Sequence, residues 1–550
     1  MEVKALIERG DQLFSKRGTL LSLWQDISDQ FYPERADFTV TRTLGDDFAA
    51  HLSTSTPVLN RRDLGNSLGT MMRPTNLDWF HMRADREEYE DQPAKAWLEY
   101  ATGIQKRAMY DRRSLFVRAS KEGDHDIATF GQCVKTVELN RNADGLLYRC
   151  WHLRDVAWCE NSEGKICTVH RKWKPTAADL CAIFPGKVHQ KIAECLIGPN
   201  KEPYREFQVR HIVMPAEDYD EDYVGKGKKV PYVEMFIDVD NQHMIEATGL
   251  SYFKYIIPRW QTVSGSQYSF SPATICGLPD ARLLQAMTRT LLEAGEKFTN
   301  PPMVAVQEAI RGDISIYAGG ITWVDAAYDE KMGEVLRPLT QDKSGVPIGM
   351  DLTRDVKLGL QEAFFLNRLA LPERGPEMTA YEVGARVQDW IRQASPLFEP
   401  LEDEDNGAIC ETTFELLMAH GTFGPAEDIP QSIRGREIGF RFESPLHQAI
   451  ERQKSTQFTE ALGLLAQAAQ TSPEAAVQLD VTGAFRDTLL SIGTPAKWVR
   501  SEEQVQQEVE AAQQQKEAAD VLGALGAGAD VAQKIGDAGR SLDPSQSMAA

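Results

Sequence analysis

The chain has 550 residues, 42% hydrophobic and 26% charged, enough to bury a sizeable core and to form several domains. Its net charge of −21 disfavours tight, phosphate-dominated nucleic-acid binding, which needs a surplus of Lys and Arg on at least one face; an acidic wall that repels phosphates stays compatible with a duplex sliding past it. Apolar runs stay well short of the roughly 18 residues of a membrane span, and MEVKALIERGDQLFSKRG is charged where an export signal is apolar, so synthesis in the cytoplasm is expected.

Through the first ~130 residues apolar side chains recur at spacings of three and four, as at Leu20, Leu23, Trp24, Ile27 and Phe31, then Trp97, Leu98, Ala101 and Ile104, which predicts helices. A connection rich in small and polar residues joins them. From about Cys133 to Val263 the pattern shifts to short β-type runs, among them LLYRCWHL, KICTVHRKW, REFQVRHIVM, YVEMFIDV and YFKYII. The acidic run at 217–223, followed by GKGKK, reads as a solvated hairpin loop or loop tip, because charge runs usually need no partner.

Helix returns over Leu278–Phe298, with an apolar stripe of Leu283, Leu284, Met287, Leu291 and Leu292, and Asn300-Pro301-Pro302 ends it. A Gly- and Pro-punctuated segment of short strands follows, and a second helix is expected from near Asp351 or Thr353 to about Leu371-Pro372. Two helices around a small β-like insert make an antiparallel excursion from the main body. LPERGPEMT is a loop. Thr379 with Glu382 then forms a capping box for a long helix reaching His420, with Gly421 placed to end it. Pro396 and Pro400 lie inside it, so a kink or break is expected there, each lost helical position costing ~3 kcal/mol. Ser444-Pro445 opens a further helical section, and from Gly523 the composition becomes Gly/Ala-rich and reads as poorly ordered.

Catalytic and ligand motifs fail on context. Gly65-Asn66-Ser67-Leu68-Gly69 matches G-x-S-x-G, but a nucleophile elbow needs a strand before the serine, and STPVLNRRDLGNSLGTMM looks helical throughout, with the glycines allowing close packing. The glycines at 523–528 follow no strand, and no phosphate-binding P-loop occurs. The eight cysteines form no C-x-x-C pair, which argues against disulfides and structural zinc and for buried thiols. His152 and His170 lie near Cys150, Cys159 and Cys167, but the gaps lack short chelating pairs. Carboxylate pairs such as Glu402 and Asp405 define no acid/base site without a pocket. No catalytic residue, cofactor or metal is expected.

The order of elements, together with WQDISDQFYPERADF at 24–38, LGNSLGTMMRPTNLDWFHM at 64–82, and PERGPEMTAYEV at 372–383, resembles the portal proteins, the head-to-tail connectors of short-tailed, T7-like phages (podoviruses). The resemblance runs over nearly the whole chain, in order and local pattern more than in one sharp motif. It implies an α+β, mainly helical fold assembled as a dodecameric ring at one capsid vertex, through which double-stranded DNA is packaged and ejected. It further implies a wing at 1–270, a first stem helix at 271–300, a clip at 301–350, a second stem helix at 351–371, a tunnel loop at 372–379, remaining wing at 380–440, a helical crown at 441–520 and a flexible tail at 521–550. Implied partners are the terminase large subunit, a tail adaptor, the major capsid and scaffolding proteins and internal core proteins, with no membrane.

On that reading Arg282, Arg289 and Lys297, spaced by seven and eight, are channel candidates for weak phosphate contact, against solvated surface or intersubunit pairing. Glu373, Arg374 and Glu377 are tunnel-loop candidates whose nearly balanced charge suits sliding. Two other readings stay open: a hydrolase built on Ser67, which needs a His and an acid converging on it, and a tail or capsid adaptor that never conducts DNA.

Overall fold

The computed structural model describes residues 2–43, 45–74, 78–197, 201–220, 224–225, 228–299, 303–305, 336–338, 345–369 and 380–443, with scattered helical positions between 458 and 505. Two compact units divide the chain: one of 1–82, 100–428 and 438–449, the other of 83–99, 429–437 and 450–550.

The first unit begins with helices α1 (Val3–Lys16), α2 (Gly18–Phe31) and α3 (Thr56–Met72). A short strand β1 (Phe80–Ala84) and helices α4 (Gln92–Met109) and α5 (Phe116–Phe130) follow. The β-rich body holds β2 (Val134–Leu139), β3 (Leu146–Trp151), β4 (Val156–Glu160) and β5 (Ile166–Trp173), helices α6 (Ala177–Ile183) and α7 (Gln190–Ile197), then β6 (Val209–Pro215) and a helical turn α8 (Ala216–Tyr219). It closes with β7 (Val224–Gly225), β8 (Lys228–Lys229), β9 (Tyr232–Asp238), β10 (His243–Leu250) and β11 (Tyr255–Ile256). A five-stranded antiparallel sheet runs in the order β10-β9-β6-β5-β4, and a three-stranded sheet in the order β11-β2-β3. The start of the acidic run is the helical turn α8 rather than a loop, and Val224–Gly225 pairs antiparallel with Lys228–Lys229.

Strand alternation divides the large sheet between two cores. Ile212, Met214, Val233, Met235 and Ile237 bury against Leu6 and Ile7 of α1. Val213 and Val169 point into the main core, where Trp24, Ile27 and Phe31 of α2 meet Leu64 and Leu68 of α3 and Phe130 of α5. Each of these fully buried side chains contributes about 1.5–3 kcal/mol. Gly131, at φ 79°, ends α5 in the left-handed region, and an added Cβ there would lie 2.5 Å from the Phe270 carbonyl carbon, so both conformation and space demand glycine.

Helix α9 (Leu278–Thr299) follows a π-helical turn at Ala273–Gly277; β12 (Met303–Ala305) pairs with β13 (Leu336–Pro338), and α10 (Gly345–Ala363) returns alongside α9. The second helix thus starts about six residues before the position expected from sequence. Pro347 is tolerated in its first turn, where the missing N–H has no intrahelical acceptor in any case. It also ends earlier: Phe365 takes a φ of 57° and the chain resumes as the short α11 (Leu366–Leu369).

Helix α12 (Ala380–Leu401) contains both Pro396 and Pro400 yet stays helical; the disruption falls just beyond, in a π-helical segment Glu402–Gly407, before α13 (Ala408–Ala419) and β14 (Ile438–Phe442). Gly421 accepts the helix end at φ 66°. The π segment is pinned by a buried charge quartet. Arg73 donates to Asp405 at 2.9 Å and also engages Asp124, while Lys135 engages Asp405 from the other side. Burial works against every one of these charges, but Lys135 and Arg73 together hold the Asp405 carboxyl below its ordinary range. Thr379, and with it the expected capping box, lies outside the described residues, as do Ser444-Pro445 and most of the expected crown.

In the second unit, the Arg436 guanidinium stacks on the Tyr89 ring at 3.4 Å, and Ser432 donates to Asp91 at 3.0 Å. The mixed helix-and-sheet content matches the α+β class expected from sequence.

Candidate functional site

The feature that departs from an ordinary globular interior is the α9–α10 pair. Its root is firmly built: Leu278, Ala281 and Leu284 of α9 and Leu360 of α10, with Phe364 beyond it, are buried in the main core. Phe364 lies 5.3 Å from Phe31, ring to ring, and a Cβ on Gly277 would come within 3.0 Å of Phe364 and 3.1 Å of Phe31. The Gln285 side chain fastens the root to the segment before α3, accepting from the backbone N–H of Ser53 at 2.7 Å and of Thr54 at 2.9 Å and donating to the Thr54 carbonyl at 3.0 Å.

On its other faces and beyond the root the pair carries large apolar side chains in water. Leu283 is 48% and Leu292 58% exposed on α9; on α10 Ile348 and Met350 are each 62%, Leu352 52% and Leu358 50% exposed. Scattered exposed leucines need no account, but six such residues are concentrated on two adjoining helices, distributed around both rather than on one face. The expected apolar stripe is divided: Leu284 is buried at the root, Met287 and Leu291 are half-buried, and Leu283 and Leu292 are exposed on opposite sides of α9.

Arg282 and Arg289 lie on one exposed side of α9, and each has an ion-pair partner within the chain: Arg282 with Asp26 of α2 at 2.8 Å, and Arg289 with Glu293 one turn on at 3.5 Å. Both pairs are surface-exposed and contribute at most about 1 kcal/mol. Lys297 is exposed near the distal end, about 60–80° around the helix from the two arginines. Glu373, Arg374 and Glu377 lie outside the described residues. Asp26 and Gln285 carry no signal in sequence, since their partners are 256 and 232 residues away in the chain.

The motifs that fail on context are explained by packing. Residues 56–72 form one helix with no strand before Ser67, whose exposed hydroxyl donates to the Asp63 carbonyl at 2.8 Å. Gly65 and Gly69 let α3 lie against α5: a Cβ at Gly65 would sit 2.4 Å from His125 Nδ1, and one at Gly69 2.9 Å from Asp124 Oδ2. His152 bonds Asp37 at 2.6 Å, His170 is buried beneath Gly10 of α1, and the Cys150 thiol faces Asp126 at 3.7 Å. Glu402 and Asp405 part company too: Asp405 belongs to the buried quartet, whereas burial and the neighbouring Asp403 and Glu399 push the Glu402 carboxyl up to about 7. Among the described residues no helix is long and apolar enough to cross a membrane.

Comparison with known proteins finds relatives along nearly the whole chain. Residues 3–499 match the family described as bacteriophage head to tail connecting protein. The chain is 25% identical to a probable portal protein of Bordetella phage BPP-1 over 563 residues, covering 100% of this chain and 97% of the relative. It is 22% identical to the portal protein of Salmonella phage epsilon15 over 556 residues, covering 99% and 97% respectively. With a family match spanning nearly its full length and an α+β fold that projects an uncovered helical pair, this chain belongs to the bacteriophage head-to-tail connecting proteins.

Proposed function

We propose that the chain is one subunit of a portal, a dodecameric ring at one capsid vertex through which double-stranded DNA enters the head during packaging and leaves at ejection. The observation that carries this is the apolar surface left in water on α9 and α10, a surface that a neighbouring identical subunit would cover. In this reading α9 and α10 are the stem, 301–350 is mainly the clip and 372–379 the tunnel loop, with Glu373, Arg374 and Glu377 facing DNA. Residues 1–270 and 380–440 form the wing, 441–520 the crown and 521–550 a tail. Arg282, Arg289 and Lys297 give weak phosphate contacts along the channel, loosened by the competing carboxylates Asp26 and Glu293.

The role is structural rather than catalytic, and the acidic chain suits a conduit that must not grip its cargo. The terminase large subunit docks on the clip during packaging and a tail adaptor afterwards; capsid, scaffolding and internal core proteins meet the wing and crown. The finished location is the virion, after assembly in the host cytoplasm. The test is the mass and shape of the purified species. A toroid with a hole about one duplex wide and a mass of twelve 61.5-kDa chains is expected, and a compact monomer overturns the reading.

A further inference from the structure

Between α2 and α3 the chain from Pro33 to Val58 encloses an open trough of about 520 Å³. Phe48, Leu52 and Val58 give it apolar walls; Glu34, Asp46 and Asp47 stand on its rim. The cations nearest in the chain are engaged elsewhere: Arg35 with Asp126, Arg42 with Asp29 and Arg154 with Asp37, each at 2.7 Å. Among the described residues no ion pair reaches Glu34, Asp46 or Asp47, although Asp46 accepts from Thr43, Asp47 accepts from the Ala49 N–H and Arg42 lies over the Phe48 ring, so the trough presents an apolar bed with an excess of negative charge. It is also held in place, because Ser53 and Thr54 on its wall are the residues that Gln285 fastens to α9.

The chain carries a complement to that bed. On α10, Met350, Arg354, Lys357 and Leu358 follow one another at intervals of four, three and one, which places them within ~100° of the helix circumference. All four are exposed, and among the described residues neither Arg354 nor Lys357 has an ion-pair partner. The helix buries a different side, through Thr353 and Leu360, while Asp351, Asp355 and Glu362 border the flank on its far side, Asp351 within ~20° of Leu358. One flank of α10 is thus apolar and cationic, at the scale of the acidic, apolar trough beside α9.

We propose that the trough at Pro33–Val58 receives the Met350–Leu358 flank of α10 from a second copy of this chain. The two surfaces differ, so the contact is heterologous: each subunit offers its α10 to one neighbour and its trough to the other. Repetition of such a contact closes a ring when the rotation between copies allows. The inference rests on the ring reading above and names the side chains that make the seam between subunits.

The experiment uses the full chain and reads the assembled mass against concentration and salt. Reversing the helix charges (R354E with K357E) or the rim charges (D46K with D47K) raises the concentration for half-assembly by about tenfold, and combining all four restores it. Wild-type assembly weakens with added salt, and the fourfold swap keeps that dependence. As a second readout, D47C with L358C gives an intermolecular disulfide ladder under mild diamide oxidation that neither single variant gives. Arg354 and Lys357 are exposed, so R354E with K357E keeps wild-type circular dichroism and melting temperature, whereas D46K with D47K also removes hydrogen bonds accepted from Thr43 and the Ala49 N–H and is compared at its own melting temperature. Unchanged assembly in both reversal variants, failure of the combination to restore it, or a cross-link formed within one chain overturns the docking proposal while leaving the ring intact. A wild-type chain that stays monomeric at all concentrations overturns the ring reading itself, and the seam with it.

Discussion

Gly65 and Ser67 belong to one short motif, and the structure assigns them opposite importance. An Ala at Gly65 puts its Cβ 2.4 Å from His125 Nδ1 and 3.0 Å from Cε1, so the ring must move. That ring is confined. It is 8% exposed, packs beside Tyr32 with centroids 6.3 Å apart, and lies 3.2 Å from Arg61 Nη1. Burial, followed by the charges of Arg61, Lys121 and Arg62, lowers the His125 pKa to about 4, so the neutral ring accepts the Arg61 proton at Nδ1. Displacement adds about 1–3 kcal/mol of overpacking and about 1 kcal/mol for the lost hydrogen bond, offset by about 1 kcal/mol of improved helix propensity. The expected result is a loss of about 2 kcal/mol for Gly65→Ala. Ser67 is half-buried and its hydroxyl bonds only to its own helix, so Ser67→Ala should fall within about 0.5 kcal/mol of wild type. Guanidinium denaturation of the full chain, followed by far-ultraviolet circular dichroism and tryptophan fluorescence, measures both. A Gly65→Ala protein as stable as wild type, or a Ser67→Ala protein that loses more than about 1 kcal/mol, would refute the close-packing account of the motif.

Two further outcomes follow from the same physics. Glu402 is raised to about 7 by burial and by Asp403 and Glu399, above its unfolded value, so its favourable contribution is complete below about pH 4.5 and is lost as pH rises through 7. Partial exposure discounts the cost of the ionised group to about 1 kcal/mol, so Glu402→Gln should melt higher than wild type at pH 8 and equally at pH 4.5; parallel melting curves at both pH values would contradict it. Leu284 is fully buried at the root of the helical pair and Leu292 is 58% exposed further along α9, so Leu284→Ala should cost about 3 kcal/mol in unfolding. Leu292→Ala should leave unfolding nearly unchanged while weakening assembly, and equal unfolding losses in the two variants would contradict the described root.

Much of the fold is legible in the chain because each strong signal is local. The three-and-four spacing of Trp24, Ile27 and Phe31 marks α2, and the run from Leu278 marks α9, since periodicity depends only on neighbours a few residues away. The second arm is legible in kind but not in position. Gly345, Pro347 and Gly349 read as a turn, yet a first-turn proline loses no hydrogen bond and Gly349 sits against Leu291 of α9, where a Cβ would approach to 3.0 Å. That displacement matters for the site, because Met350 becomes helical and completes the flank with Arg354, Lys357 and Leu358. Prolines 396 and 400 mislead for a related reason: the disruption expected at them falls in the following π segment, held by Arg73, Lys135 and Asp124 from distant parts of the chain. The trough is the least legible part. Its few apolar residues, Phe48, Leu52 and Val58, stand among small and polar ones without a helical period, and its shape depends on Gln285 reaching back 231 and 232 positions to Thr54 and Ser53.

The uncovered helices also bear on why such a chain would close into a ring rather than stop at a pair. Burying the exposed halves of Met350 and Leu358 in a neighbour's trough contributes on the order of 2 kcal/mol, at about 1 kcal/mol each. Joining two copies costs about 4–15 kcal/mol in lost translational and rotational freedom, so one such contact alone is marginal. A heterologous contact leaves a free α10 flank at one end of every open chain of subunits and a free trough at the other. The step that closes the ring makes its contact without immobilising another molecule, so it retains nearly the whole contact energy. Partial rings are therefore the least stable species, and assembly runs from monomer to closed ring with little between. An abundant ladder of dimers and trimers at equilibrium would show instead that the single contact is strong and that closure adds nothing.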